Sequence, residues 1–246
     1  MKEAKVNKES PVPLYYQVKE NLKEKIESGV LEPNERLPSE RDLENKHGIS
    51  RMTARRALTE LESEGYVYRE QGKGSYVAEP KLRQALSKLT SFTEDMQDRG
   101  LEPGAEVLNK ELITVEDQLS DKLMLQSGEK VFLLRRVRLA DNEPLAIETS
   151  HLRNKFCPGI EEFDFKDRSL YETLKREFGI NLGRAEQSVE ANLASKFKAD
   201  VLNVEKGSPM LTTERLTFLT DGETPIELAR STYRGDRYKM LVELRR

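Results

Sequence analysis

The chain has 246 residues, 36% hydrophobic and 35% charged, with a formal net charge of −3. That length suits two domains, and the slight negative charge gives no support of its own to nucleic-acid binding. A single cysteine, Cys157, excludes an intramolecular disulfide and a cysteine metal cluster, two histidines leave few parts for a His-based site, and no apolar run approaches the ~20 residues of a membrane span. The first residues are charged with no apolar segment behind them, so no secretory signal and a cytoplasmic location are expected.

Residues 1–10 are aperiodic and read as a mobile tail. Pro11 and Pro13 lead into a predicted helix over Leu14–Ser28, whose Leu14, Tyr15, Val18, Leu22 and Ile26 form one apolar stripe before Gly29. A second helix starts at the N-cap Ser39, with Asp42 three residues on, and ends at His47-Gly48. Ser50 caps a third, which buries Ala54, Ala57, Leu58 and Leu61 and stops at Gly65. Tyr66–Arg69 and Ser75–Ala78 read as strands joined by a glycine turn with Lys73 at its tip.

Helix, tight turn, helix and two-stranded wing point to DNA. Arg51 and Arg55 are four residues apart and share one helical face. Their forked donors suit guanine edges and phosphates. Arg51, Thr53 and Arg55 lie in the first turns of the candidate recognition helix, and Arg41 at the start of the second helix is placed for a phosphate. Gly72 and Gly74 let the wing backbone approach DNA, and Lys73 can enter a minor groove. Eight cations against seven anions between Arg36 and Val77 imply few, specific contacts by a dimer. The alternative is a solvated arginine face on an ordinary helical bundle.

Pro80 and Lys81–Lys88 read as a linker or short connecting helix. Ser91 caps a helix over Phe92–Arg99, with Glu94 completing a capping box. Strands are predicted over Val107–Val115, Val131–Ala140, Leu145–His151, Ala185–Leu193, Met210–Leu219, Pro225–Tyr233 and Lys239–Leu244, and helices over Glu116–Leu125, Leu170–Phe178 and Lys196–Leu202. Asp141–Pro144 and Thr220–Thr224 read as hairpin turns. A faint echo pairs Gly128, Arg136, Leu139 and Glu148 with Gly207, Arg215, Phe218 and Glu227, each 79 residues on. It suggests two related halves of one α+β domain around a central antiparallel sheet.

In a strand, Arg136 and Arg138 point to one face, roughly 6.6 Å apart. They fit either a bound phosphate or a salt-bridged pair with Glu148 or Glu227. Ser91 and Thr93 put hydroxyls and free N–H groups at a helix start, which also reads as a simple cap. Glu148 is placed to accept sugar hydroxyls, Ser169 caps the helix carrying Tyr171, and Tyr233 lies in a polar strand end where Asp236 and Arg237 read as pairing with each other.

Pro13-Leu14-Tyr15-Tyr16-Gln17, Leu37-Pro38-Ser39-Glu40-Arg41, Gly48-Ile49-Ser50-Arg51-Met52-Thr53-Ala54-Arg55 and Gly72-Lys73-Gly74-Ser75-Tyr76-Val77 resemble the N-terminal domain of GntR-family bacterial transcription regulators. The resemblance implies a winged helix-turn-helix with operator contacts by Arg41, Arg51, Thr53, Arg55 and Gly72; Arg56 stands where glutamine or lysine is also common. Leu89–Met96, Arg136–Ala140, Ile147–His151 and Tyr233–Tyr238 resemble the UTRA effector domain of the HutC subgroup, which has a chorismate-lyase-like fold, and within it the regulators of N-acetylglucosamine utilisation. That resemblance implies a phosphate held by Ser91, Phe92, Thr93, Arg136 and Arg138, and a sugar pocket at Glu148, Ser169, Tyr171, Glu227 and Tyr233.

The expected organisation is an α+β protein: tail 1–10, winged helix-turn-helix 11–79, linker 80–89, effector and dimerisation domain 90–246. The expected function is a homodimeric repressor of double-stranded operator DNA. Its effector would be a phosphosugar, glucosamine-6-phosphate or N-acetylglucosamine-6-phosphate, with no metal, cofactor or membrane. The alternatives are a regulator of another phosphosugar, a lyase-like enzyme, or a constitutive DNA-binding protein whose second domain only dimerises.

Overall fold

The computed structural model describes residues 6–70, 72–79, 81–85, 88–115 and 118–243. The first five tail residues, Gln71 of the wing turn, Pro80, Leu86 and Ser87 of the connector, Glu116 of a predicted helix and Leu244 of the last predicted strand lie outside them. The chain forms two compact units, residues 1–81 and 82–246.

In the first unit, α1 (Leu14–Glu27), α2 (Glu40–His47) and α3 (Arg51–Ser63) precede a hairpin of β1 (Val67–Glu70) and β2 (Gly74–Val77). Ser39 and Asp42 form a reciprocal capping box, and Gly48 ends α2 in the left-handed region (φ 61°), where glycine carries no Cβ penalty. Ser50 then caps α3. Val18, Leu22, Leu43, Ala54, Leu58, Leu61 and Val77 meet in one core. A feature the sequence did not announce is a bridged segment, 34–37, along the outer edge of the wing. Asn34 N–H donates to Val77 O at 2.9 Å, Leu37 N–H to Ser75 O at 2.8 Å, and Arg36 bridges to Tyr76.

The second unit contains β3 (Leu82–Ala85), α4 (Phe92–Gln97), β4 (Pro103–Thr114), α5 (Gln118–Lys122), β5 (Lys130–Ala140) and β6 (Glu143–Arg153), then α6 (Leu170–Phe178), β7 (Leu182–Leu193), α7 (Lys196–Leu202), β8 (Pro209–Leu219), β9 (Pro225–Arg234) and β10 (Tyr238–Leu241). Six strands form one antiparallel sheet in the order β4-β5-β6-β9-β8-β7. Both predicted hairpin turns are present, the first with Asp141 (φ 48°) and Asn142 (φ 65°) as its two loop residues.

The stretch read as a linker or helix contains β3. It pairs in parallel with β10, which leaves the central sheet for this two-stranded one.

Period-two alternation sorts the sheet faces. Phe132 and Leu134 pack with Leu170 and Leu174 of α6, and Tyr233 with Phe92 and Met96 of α4. Val131 packs with Leu123 and Leu119 of the α5 segment, and Val137 with Ala199 and Leu202 of α7. So α4 and α6 cover one face, α5 and α7 the other.

The halves repeat. Pro103 to Leu182 and Lys130 to Pro209 are each 79 residues apart, and the second half's strand order reverses that of the first. The halves are therefore related by an approximate two-fold about the β6–β9 seam. One pairing of the sequence echo is corrected. Arg136 faces Glu148, whereas Arg215 faces Ala229. Pro144 opposite Leu139 corresponds to Pro225 opposite Phe218, each just past a register shift. The second turn is longer by two residues, so Glu148 corresponds to Ala229 and Glu227 to Ala146.

One ion pair of this unit carries a testable acid dependence. Arg153 forks onto Glu129 (2.7 and 3.0 Å), joined by Lys155 at 3.2 Å. Burial alone would push the Glu129 carboxyl up, but these cations and the Gln126 N–H bring it down from 4.5 to about 2. A folded value below the unfolded one means stabilisation that is complete above pH 4.5 and lost as pH falls through about 2. Glu129→Gln is expected to cost about 3 kcal/mol at pH 7. The cost should shrink progressively below pH 4.5, as denaturant unfolding at stepped pH would show. A constant cost down to pH 2 would assign it to packing instead.

Candidate functional site

All ten residues expected at the effector site line one cavity on the α4/α6 face: Ser91, Phe92, Thr93, Arg136, Arg138, Glu148, Ser169, Tyr171, Glu227 and Tyr233. Its free volume is about 40 Å³, room for a few water molecules.

Arg136 and Arg138 rise side by side from β5, each 3% exposed. Arg136 reaches Glu148 at 2.6 Å and Arg168 O at 3.2 Å, so half of the salt-bridge alternative is present. Arg138 differs. Among the described residues it meets no carboxylate within ion-pair distance. It donates to Thr93 Oγ1 at 3.1 Å and lies over the Phe92 ring, 4.5 Å from its centroid. Among the described residues the Nε of each arginine has no hydrogen-bond partner. Burial, then repulsion from Arg136, pulls the Arg138 pKa down to about 10. A buried guanidinium whose nearest carboxylate, Glu148, is already bonded to a neighbour is costly.

Ser91 is committed to the cap. Its N–H donates to Glu94 Oε2 at 2.7 Å, and its hydroxyl accepts from Glu94 N–H at 3.1 Å. The Phe92 and Thr93 N–H groups open the helix and take no intrahelical partner.

Carboxylates and phenols complete the cavity wall. Tyr171 donates to Glu227 Oε2 at 2.7 Å, and Thr217 to the same oxygen at 3.3 Å. Burial raises the Glu227 carboxyl above its ordinary value despite these donors. Glu148 is also buried, yet Arg136 and Arg138 hold it below the ordinary value. Ser169 caps α6. Tyr233 stacks on Tyr238 (centroids 4.2 Å apart), whose hydroxyl donates to Asp95 of α4 at 2.9 Å. Asp236 and Arg237, read as a mutual pair, each reach a further partner: Arg234 holds Asp236 at 2.7 Å, and Arg237 reaches Glu143 at 2.7 Å.

Sequence reasoning did not select Arg215 for the site. It lines the cavity, donates to Thr90 O at 3.0 Å and is held by Gln187 at 2.7 Å. The signal was present, because the echo pairs Arg215 with Arg136.

In the first unit Arg41, Arg51, Arg55, Arg56, Gly72 and Lys73 are exposed and Thr53 is half-buried. Their engagements differ. Arg51 touches Glu40 at 3.1 Å while 72% exposed, and Lys73 pairs with Glu70 at 2.9 Å. Thr53 shares a hydrogen bond with the Ser50 hydroxyl at 2.8 Å. Arg56 lies over the Tyr15 ring at 3.7 Å and reaches Glu60 at 3.2 Å. Among the described residues Arg55 meets no carboxylate at ion-pair distance. Gly72 has φ 75° with nothing within 4 Å of an added Cβ, so the backbone conformation, not crowding, calls for glycine.

A winged helix with an exposed arginine face, followed by a domain with an enclosed cationic cavity, defines a ligand-responsive DNA-binding regulator. The comparisons make this specific. Residues 14–77 match the gntR family of bacterial regulatory proteins, and residues 98–239 match the UTRA domain. The chain is 43% identical over 233 residues, 95% of each chain, to the HTH-type transcriptional repressor NagR of Bacillus subtilis (strain 168). It is 32% identical to the histidine utilization repressor of Pseudomonas putida, over 94% of this chain and 92% of that one. Among solved structures it is similar to PhnF from Mycobacterium smegmatis, with TM-score 0.66, 29% identity, and coverage of 93% of this chain and 99% of that one. The chain belongs to the gntR family, as a transcription repressor of the HutC type with a UTRA effector domain.

Proposed function

We propose that this repressor is controlled by a phosphorylated aminosugar, glucosamine-6-phosphate or N-acetylglucosamine-6-phosphate, bound in the α4/α6 cavity. The observation that carries the reading is Arg138, buried beside Arg136 with no carboxylate of its own. Three arginines face two glutamates there, and one of the two, Glu227, holds its proton more tightly than usual. The surplus is positive, and a phosphate accepting forks from Arg136 and Arg138 would cancel it. Phe92 N–H, Thr93 N–H and the Thr93 hydroxyl supply further donors. Glu148, Ser169, Tyr171, Glu227 and Tyr233 surround the place left for the sugar. The amino group rests on the likeness to the repressor NagR.

The cavity is too small for a sugar phosphate as it stands, so the ligand enters by parting Arg136 from Glu148 or by shifting α4 and α6. The repressor acts as a homodimer, its winged helices reading two half-sites of a palindrome. Ligand favours an arrangement that no longer fits their spacing.

Thermal melting with glucosamine-6-phosphate, N-acetylglucosamine-6-phosphate, other hexose phosphates and inorganic phosphate tests this. A ligand at ~100 times its Kd adds about 2.7 kcal/mol. Aminosugar phosphates are expected to shift the transition and also to weaken operator binding at fixed salt. A shift from another phosphosugar alone would retain the phosphate site and discard the aminosugar. No shift from any would remove Arg136 and Arg138 as ligand residues.

A further inference from the structure

Met52 is the second residue of α3, and its side chain lies largely in water at 71% relative exposure. It is flanked by two cations, Arg51 and Arg55, both exposed. The other outward groups of these turns serve the unit itself. Thr53 is tied to Ser50, and Arg56 is stacked on Tyr15 and paired with Glu60. What remains to meet a partner at the start of α3 is Met52 and Arg55, with Arg51 held only in an exposed pair with Glu40.

The flanking cations select a polyanion, and α3 has the place of a recognition helix. An apolar, flexible thioether beside them needs an apolar feature on that polyanion. The major groove offers one, the 5-methyl group of thymine. Methionine suits it, being polarisable and free to adapt over three rotatable bonds. We propose that Met52 packs on a thymine methyl in each operator half-site and so fixes one base pair that the arginines do not read. This rests on the DNA-binding reading of α3.

The test starts with duplexes selected by the full-length protein from a random pool. Each thymine of the selected sequence is then replaced by deoxyuridine, which removes only the methyl. The wild type is expected to lose about three- to six-fold in affinity per half-site at one position, the worth of one buried methyl. Met52→Ala should lose a similar factor on the thymine duplex and almost nothing more on the deoxyuridine duplex. Its melting temperature should be unchanged.

Indifference of the wild type to deoxyuridine at every position would overturn the inference and leave DNA binding intact. So would Met52→Ala losing as much as the wild type at the sensitive thymine. A selection that yields no sequence at all would overturn the DNA-binding reading, and this inference with it.

Discussion

Arg138→Met is expected to make the ligand-free protein more stable while weakening aminosugar-phosphate binding by about 100-fold or more. Two opposed terms meet in this residue. Without ligand, its guanidinium is buried against one hydroxyl and one ring face, repelled by Arg136 and attracted only at a distance by Glu148. Methionine has similar reach and no charge. Exchanging poorly compensated buried charge for apolar volume is neutral to stabilising, by about 1–4 kcal/mol. For a chain of this size each kcal/mol is worth roughly 2–4 °C. With ligand, the variant loses a fork to phosphate, and each charge-assisted hydrogen bond contributes about 1.5–3 kcal/mol. Melting with and without glucosamine-6-phosphate, together with titration calorimetry, reads both effects. A variant that melts lower and still binds would make Arg138 a structural residue.

Arg55→Ala is expected to weaken operator binding about 10- to 100-fold with no change in melting temperature, from the ~1–3 kcal/mol of one bidentate base contact. Arg51→Ala should cost less. Arg51 pairs with Glu40, and that exposed pair, worth well under 1 kcal/mol, must open before DNA is met. Both should act on specific duplexes far more than on random ones. Titrations at two salt concentrations separate the cases, since an arginine that meets only phosphate lowers affinity for all sequences alike and flattens the salt slope by about one unit. Equal loss on operator and random DNA would move Arg55 from the bases to the backbone.

Much of this architecture was legible because its signals are local. The serine caps at 39, 50, 91 and 169 fix helix starts through hydrogen bonds within four residues. Glycines at 48 and 179 fix two of the ends. Leu170–Phe178 and Lys196–Leu202 were readable to the residue for this reason. The strands of the central sheet announced themselves by alternation and by their turns.

What stayed hidden depends on distant pairing. Four-residue β3 lacks a pattern of its own, and its partner β10 lies some 150 residues away. The segment along the wing's outer edge, near Arg36, makes a single bridge with no apolar alternation. The cavity was half legible. Arg136 and Arg138 betray themselves as two like charges on one strand face, whereas Arg215 stands alone in β8 and joins them only when the sheet closes. The echo misplaced Glu227 because a turn two residues longer changes the register without disturbing the sequence likeness.

A chain of half this length, ending after β6, could complete such a sheet only by laying its last strand against that of a second copy. A pocket on that shared axis would carry every group twice, and would suit a molecule with two like ends. In this chain that sameness is broken. Thr217 stands where the first half has Arg138, and Ala229 where it has Glu148. One end of the pocket now carries a surplus of charge and the other balances Arg215 against Glu227. A pocket built this way distinguishes the two ends of whatever it holds, so an unsymmetrical occupant would fit in only one direction.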